Sequence, residues 1–242
     1  ACALFDTPLA GERSLARKSN GNILTEVAPL LERCPGIGAE LIPRLAGAVA
    51  RDFETVLGIA RERHGLRDGR VALFGVSLGV LLAGHAFTRD GIGTRLLGAI
   101  GHTDLHRFAR SYTPPLGRHL LASWPGRAFA ALAARLFGRT VAAGVSFLAA
   151  LCDLCQDGEH CAAANPMTFA DRVTTGRRVR FLVGGADRSV SPADARACAR
   201  RFPDGACVVV PGLRHGTTRF GPSFTEHVRT FVGTQLGDWK GT

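Results

Sequence analysis

The sequence predicts an α/β protein with a mostly parallel sheet and helices on both faces. Two observations lead to this prediction. Apolar runs of strand length alternate along the chain with segments whose apolar residues recur at helical spacing. The alternation is interrupted only at residues 105–165, which are rich in alanine, leucine and phenylalanine. We therefore expect a single domain over residues 1–242 with a helical insertion at residues 105–165.

The elements follow one another in a regular order. Residues 2–5 are an apolar, strand-like run, and residues 39–64 have apolar positions at helical spacing, ending before Gly65 as the expected C-cap. Ser191 is the expected N-cap of a later helix, because proline follows it and an aspartate stands three positions on. The other predicted elements are strands at 71–74, 95–100, 178–183 and 207–210 and helices at 78–88, 192–202 and 223–236.

Composition limits the possible functions. The chain has 242 residues, of which 46% are hydrophobic and 21% charged, as is ordinary for one globular domain with a sizeable core. Its formal net charge is +10, and Lys18 and Lys240 are the only lysines. The arginines are scattered through all segments, which indicates a basic surface rather than a nucleic-acid site. The most apolar stretch, residues 141–151, is too short to cross a bilayer and no signal peptide is visible, so we expect a cytoplasmic protein without an integral membrane segment.

A G-x-S-x-G motif lies between a predicted strand and a predicted helix. Residues 75–79 read Gly-Val-Ser-Leu-Gly, with Ser77 at the centre. In this context the motif is typical of a nucleophile elbow, a tight strained turn that raises the serine hydroxyl above the edge of the sheet. We expect Gly75 and Gly79 to be small because the flanking strand and helix nearly touch. The backbone N–H of Leu78 is then a predicted oxyanion donor.

Two later segments agree with this motif. Residues 178–187 are an apolar strand followed by Gly-Gly-Ala and Asp187, and residues 208–216 are an apolar strand followed by a glycine-flanked loop with His215. With the elbow, these segments resemble the α/β-hydrolases from the first strand to the end of the chain. The resemblance implies Ser77 as nucleophile, Asp187 as acid and His215 as base, in the chain order of that family. Asp104 is the alternative acid, since some hydrolases place it after the preceding strand.

The resemblance also concerns the start of the chain. Residues 6–14 are similar to the stretch that follows the fourth strand of many α/β-hydrolases, with Ala10 where histidine is usual. The family's third strand and its oxyanion loop would then lie upstream of residue 1, so the N-terminal strands are expected to be missing or truncated. Either the polypeptide extends upstream, or residues 2–5 take the place beside the elbow strand. In the second case the N–H of Leu9 is the candidate second oxyanion donor.

The predicted function is that of a serine hydrolase that cleaves an ester or a thioester through an acyl-enzyme on Ser77, without a cofactor. The resemblance implies that residues 105–165 form a cap or lid over the active site; the alternative is that these helices only complete the core. The apolar composition of this cap suggests a small-molecule substrate with an apolar acyl group, faced by some of the aromatic residues Trp124, Phe129, Phe137 and Phe147. The alternative is a catalytically weak or inactive binding or scaffold protein of the same fold, because no segment for a complete oxyanion hole is evident.

The chain has seven cysteines, three of which lie close together in the sequence. Cys152 and Cys155 are spaced as in metal or redox sites, with His160 and Cys161 nearby, but no second pair follows. The ligand set for zinc is incomplete, which favours a local disulfide or free thiols over a metal site. His102, near the carboxyl end of a predicted strand, is expected either to touch substrate or to be capped by a neighbouring carbonyl.

Overall fold

The computed structural model describes residues 38–65, 70–112, 154–155, 158–215 and 222–237. Within these ranges the chain forms helices, strands and one 3₁₀ helix. In chain order they are α1 (Gly38–His64), β1 (Ala72–Val76), α2 (Leu78–Thr88), β2 (Arg95–Ala99), α3 (Leu105–Tyr112), α4 (Gly158–Ala164), the 3₁₀ helix (Pro166–Arg172), β3 (Arg178–Gly184), α5 (Pro192–Ala199), β4 (Ala206–Val210) and α6 (Pro222–Gly237).

The chain divides into two compact units, residues 1–49 with 112–164 and residues 50–111 with 165–242. In the first unit, the beginning of α1 buries Leu41, Ile42 and Leu45, and α4 buries Cys161. The second unit contains all four described strands. The prediction that residues 105–165 form a cap concerns mainly residues outside the described ranges; the part that is described begins with helix α3.

The described strands form one parallel sheet in the order β1-β2-β3-β4. Leu73 lies beside Leu96, and Leu96 lies beside Val179, so the apolar centres of the first three strands are in register. Within the described part of the chain, β1 pairs on one side only, with β2. The predicted strand at residues 2–5, which would lie on its other side if displaced, is outside the described residues.

Helices cover both faces of the sheet, as the alternation in the sequence predicts. On one face, α2 packs against β1 and β2, and α5 packs against β3 and β4. Their apolar side chains join one buried cluster that includes Phe87, Leu96 and Phe181. On the other face, Phe231 of α6 packs against Leu97 and Leu182. Since adjacent strand residues point to opposite faces, Leu96 and Leu97 serve the two layers in turn.

Most predicted boundaries lie within one or two residues of the observed ones. Helix α2 begins and ends at the predicted residues, and Gly65 has the positive φ of 59° expected of a C-cap. Ser191 is the N-cap of α5, with its side chain accepting a hydrogen bond from the N–H of Asp194. Helix α5 ends at Ala199, three residues earlier than predicted. None of the described helices is both long and apolar enough to span a membrane.

Candidate active site

Ser77 is the single residue between the end of β1 and the beginning of α2. Its backbone has φ 53° and ψ −120°, and a positive φ is uncommon for any residue other than glycine. The N–H of Ser77 donates to the carbonyl of Ala99 at 2.9 Å, and its own carbonyl accepts from the N–H of Val80 at 3.0 Å. These bonds hold the strained turn against β2 on one side and against the first turn of α2 on the other.

The two glycines of the motif have different roles. A Cβ atom on Gly75 would clash with the backbone of Gly79 and Val80, so this position requires glycine for the predicted reason. A Cβ atom on Gly79 would meet no described residue within 4 Å outside its own helix. Among the described residues, the expectation that close packing also requires Gly79 is therefore wrong. The contact is one-sided, because a Cβ on Gly75 would clash with the backbone of Gly79 and a Cβ on Gly79 would not clash with β1.

The structure brings together Ser77, His215 and Asp187. Ser77 Oγ lies 3.2 Å from His215 Nε2, and His215 Nδ1 lies 2.9 Å from Asp187 Oδ2. The Asp187 side chain is fully buried, whereas the imidazole is 21% exposed. A carboxylate that accepts a hydrogen bond from Nδ1–H keeps the ring proton on Nδ1, so that Nε2 can accept the proton of the serine hydroxyl. The arrangement can therefore remove a proton from Ser77 when its oxygen attacks an electrophile.

The position of Asp187 is fixed by its own loop. Its Oδ1 accepts hydrogen bonds from the N–H groups of Ser189 at 2.8 Å and Val190 at 2.9 Å, which leaves Oδ2 for the imidazole. Asp187 follows β3 and His215 follows β4, just as Ser77 follows β1. Because the strands are parallel, these three loops meet at the carboxyl edge of the sheet, where ligands bind in open α/β sheets.

Backbone contacts join the loops of Asp187 and His215. The N–H of Ala186 donates to the carbonyl of Leu213 at 3.1 Å. Gly184 is tightly packed, because a Cβ atom there would clash with the backbone of Leu213. Neither Gly184 nor Gly185 is among the residues with a positive φ. Position 184 therefore requires glycine because of the close approach of Leu213 and not because of a left-handed turn.

Asp104, the alternative acid, has other partners. Its Oδ1 accepts from the N–H of Arg107 at 3.1 Å, at the beginning of α3, and its Oδ2 accepts from Arg107 Nε at 3.2 Å. Arg107 also pairs with Asp194, near the beginning of α5. Of the two candidate acids, Asp187 is therefore the one bonded to His215. The link from Arg107 to Asp194 joins distant parts of the chain, and no local sequence pattern predicts it.

His102 has neither of its expected environments. It is fully buried, and its Nδ1 accepts a hydrogen bond from the N–H of Asp104 at 3.3 Å rather than donating to a carbonyl. Its Nε2 has no hydrogen-bond partner among the residues that the structure describes. Burial lowers the pKa of His102, against the opposing effect of the Asp104 and Asp194 carboxylates. The ring is therefore neutral near pH 7, with its proton on Nε2.

Only one of the two predicted oxyanion donors, Leu78, lies within the described residues. Leu78 is the first residue of α2, where backbone N–H groups have no partner within the helix. Leu9 lies outside the described residues, as do Trp124, Phe129, Phe137 and Phe147 of the predicted cap. The second donor and the lining of an acyl pocket therefore remain predictions.

No disulfide joins the described cysteines, which are Cys155, Cys161, Cys198 and Cys207. Cys152 lies outside the described residues, so the expectation of a local disulfide or free thiols in its group stays a prediction. Burial raises the pKa of the Cys198 thiol to about 12, which leaves it protonated and unreactive at neutral pH.

Comparison with protein-family models and with curated proteins found no match. Among solved structures, the chain is similar to TT1662 from Thermus thermophilus, with a TM-score of 0.52 at 20% identity, over 96% of this chain and 75% of that one. It is also similar to the Pyrococcus furiosus esterase PF2001, with a TM-score of 0.48 at 14% identity, over 78% of this chain and 60% of that one. A third match is a puromycin-hydrolyzing peptidase from Mycobacterium tuberculosis, with a TM-score of 0.47 at 20% identity, over 83% of this chain and 25% of that one.

The chain therefore spans about a quarter of the peptidase and 60% of the esterase. At these identities the similarity concerns the fold alone. Together with the parallel sheet and its helices on both faces, it shows that the chain has the α/β-hydrolase fold, and the predicted resemblance is confirmed at that level.

Proposed function

We propose that this protein is a serine hydrolase that cleaves carboxylic esters or thioesters through an acyl-enzyme on Ser77. The main support is the continuous chain of contacts from Ser77 Oγ through His215 to the buried carboxylate of Asp187. The strained Ser77 turn supports the same proposal, because it acts as a nucleophile elbow. The fold alone is not sufficient support, since one fold can host many functions.

In the first half of the reaction, Ser77 Oγ attacks the carbonyl carbon of the substrate. His215 Nε2 takes the hydroxyl proton, and Asp187 stabilises the imidazolium that results. The carbonyl oxygen becomes an oxyanion and accepts a hydrogen bond from the N–H of Leu78. The tetrahedral intermediate collapses when the bond to the leaving group breaks. His215 returns its proton to the departing alcohol or thiol, and the acyl group stays on Ser77.

In the second half, water replaces the leaving group. His215 removes a proton from the water as its oxygen attacks the acyl carbon, and a second tetrahedral intermediate forms. Its collapse breaks the bond to Ser77 Oγ, which recovers its proton from His215, and the carboxylic acid leaves. No cofactor is required by this sequence of steps.

The efficiency of the reaction depends on a second oxyanion donor. In this proposal the donor is the N–H of Leu9, from the segment that follows the first predicted strand. One such donor typically contributes about 3 kcal/mol of transition-state stabilisation. The predicted cap, with its apolar composition, would favour substrates with an apolar acyl group.

A covalent probe tests the proposal directly. The wild-type protein should react with a fluorophosphonate and gain the mass of one phosphonyl group, located on Ser77 by peptide mapping. Ser77→Ala should abolish the reaction. Ser111→Ala is the matched control, because the Ser111 hydroxyl donates to the carbonyl of Arg107, one turn earlier in α3, and this variant should be labelled like the wild type. A folded wild-type protein that stays unlabelled would contradict the proposal and favour a non-catalytic binding protein.

Substrate class is tested on the unlabelled wild-type enzyme, since the probe blocks Ser77. Hydrolysis of p-nitrophenyl butyrate should be faster than that of p-nitrophenyl acetate if the acyl pocket is apolar. A butyryl thioester, with the same acyl group as the butyrate, compares thioesters with esters. Equal rates for acetate and butyrate would contradict the apolar pocket without affecting the role of Ser77.

A further inference from the structure

Ile100, the first residue after β2, has an unusual backbone conformation. Its φ is 48°, in the left-handed region that a β-branched residue rarely adopts. The residue is only 3% exposed, and its N–H donates to the carbonyl of Leu182 at 2.7 Å. A conformation that costs free energy persists only when the surrounding structure holds it, and such residues cluster at functional sites.

The backbone on both sides of Ile100 contacts the Ser77 turn. The carbonyl of Ala99 accepts the hydrogen bond from the N–H of Ser77. On the other side, a Cβ atom on Gly101 would lie 2.6 Å from the Ser77 carbonyl oxygen, which shows how closely the chain passes this turn. The left-handed turn at Ile100 therefore directs Gly101 against the nucleophile's own backbone.

The side chain of Ile100 shares a buried cluster with the loop that carries the base. The buried members of this cluster are Ala99, Ile100, Leu213 and Phe224. Leu213 stands two residues before His215, and its carbonyl accepts a hydrogen bond from Ala186, the residue before Asp187. One side chain thus supports the point at which the loops of the acid and the base are joined.

We propose that Ile100 is a positioning residue that fixes the distance between Ser77 and His215. The turn at Ile100 places Ala99 and Gly101 against the serine turn, and its side chain supports the buried cluster that holds Leu213 and, through Leu213, the histidine. This inference rests on the proposed hydrolase function. Removing the side chain would let Leu213 move into the space left behind and would carry His215 with it, and a displacement of about 1 Å can lower a rate by about 100-fold.

Kinetics of three variants test the inference. Ile100→Ala should lower kcat for p-nitrophenyl butyrate by about 10- to 100-fold with KM changed by less than about twofold, because alignment rather than binding is lost. Ile100→Val keeps the β-branch and should retain most of the activity. Ile92→Ala is the matched control, because Ile92 is also buried but belongs to the core cluster near the amino edge. If Ile100→Ala lowers kcat no more than Ile92→Ala does, the inference is wrong.

A spectroscopic measurement separates this inference from the proposed function. The proton between His215 Nδ1 and Asp187 should give a downfield NMR resonance, assigned by its loss in His215→Gln. Ile100→Ala should shift or broaden this resonance, and Ile92→Ala should leave it unchanged. If the wild type hydrolyses no ester, the function proposal fails, yet this comparison still decides the positioning role.

A milder substitution keeps the test possible if Ile100→Ala does not fold. If Ile100→Ala is unfolded, Ile100→Val should show a smaller shift of the same resonance, with Ile92→Val as its control. An unchanged resonance in the folded Ile100 variants would overturn the inference. A wild-type protein that lacks the resonance would overturn it as well.

Discussion

The two edges of the sheet are built in opposite ways, and helix α2 connects them. At the carboxyl edge α2 begins beside Ser77, and both Ser77 and Ile100 have a positive φ. At the amino edge the end of α2 is held by Arg177, whose guanidinium donates to backbone carbonyls. The first arrangement keeps strain at the residues proposed for chemistry. The second satisfies groups at a helix end that would otherwise lack partners.

Arg177 makes several contacts at once. Its Nε donates to the carbonyl of Gly93 at 3.1 Å, and one terminal nitrogen lies 2.7 Å from the carbonyl of Phe87 and 3.5 Å from that of Ile92. The guanidinium carbon also lies 4.0 Å from the centroid of the Phe87 ring. Burial lowers the pKa of Arg177, but a guanidinium remains charged at neutral pH. A planar group with five donors suits this site better than the single ammonium of lysine.

The residues proposed for catalysis and a contact that stabilises the fold thus lie at opposite ends of the same helix and strands. Changes to the proposed catalytic residues at the carboxyl edge should therefore alter rates with little effect on the free energy of unfolding at neutral pH. Changes at the amino edge should do the reverse. Each of the following predictions tests one side of this division.

The largest effect is expected at the carboxyl edge, for Asp187→Asn. The amide keeps the shape of the carboxylate but favours the wrong tautomer of His215, so the rate of acylation should fall by about 10⁴-fold. Asp104→Asn is the control, because asparagine remains a good N-cap for α3. The partner of His215 Nδ1 is Asp187 and not Asp104. The measurement is the rate of fluorophosphonate labelling. A larger loss in Asp104→Asn than in Asp187→Asn would assign the acid to Asp104 instead.

The next effect is expected at the amino edge, for Arg177→Ala. Three carbonyls lose a charged donor, so the free energy of unfolding should fall by about 2–3 kcal/mol, as measured by urea denaturation. The labelling rate of the folded protein should not change. Arg177→Lys should recover only part of the stability, and Arg51→Ala, at an exposed position of α1, should change it by less than about 0.5 kcal/mol. Equal stability of Arg177→Ala and Arg51→Ala would refute the stabilising role of the amino edge.

Local patterns account for what the sequence predicts well. The strand, the G-x-S-x-G motif and the following helix are contiguous, so the position of Ser77 between β1 and α2 follows from a few residues. Asp187 and His215 follow apolar strands in the same way. The resemblance favours Asp187 over Asp104 as the acid, and the bond observed at His215 Nδ1 agrees with this choice.

The features that the sequence could not predict depend on contacts between distant residues. A β-branched residue such as Ile100 favours extended structure, so its left-handed backbone cannot be read from local sequence; the residue is held by its bond to the carbonyl of Leu182 and by its buried cluster. Gly75 and Gly79 look equivalent in the motif, yet only Gly75 faces a neighbouring backbone. Arg177 is one of many arginines, and its contacts are with residues more than 80 positions away.

The smallest effect concerns pH and the buried imidazole of His102. Its pKa in the folded protein lies below the ordinary value of 6.5, mainly because of burial; the carboxylates of Asp104 and Asp194 oppose this shift, and Arg107 adds to it. The unfolded chain therefore binds a proton near pH 6.5 that the folded protein does not bind until lower pH. The stabilising effect of the neutral ring is complete above pH 6.5 and is lost as the pH falls toward the folded-state value.

Replacing His102 tests this dependence. His102→Gln should flatten the decline of stability below pH 6.5, by about 1.4 kcal/mol for each pH unit that separates the two pKa values. Glutamine can still accept the hydrogen bond from the N–H of Asp104 through its side-chain oxygen, which limits the damage to the loop after β2. The control is His64→Gln, because His64 is exposed at the end of α1 and this variant should keep the wild-type slope. Urea denaturation at a series of pH values between 5 and 8 gives both slopes. Equal slopes for the wild type and His102→Gln would mean that other groups cause the loss of stability in acid. The buried imidazole at the carboxyl edge would then contribute little to the pH dependence of the free energy of unfolding.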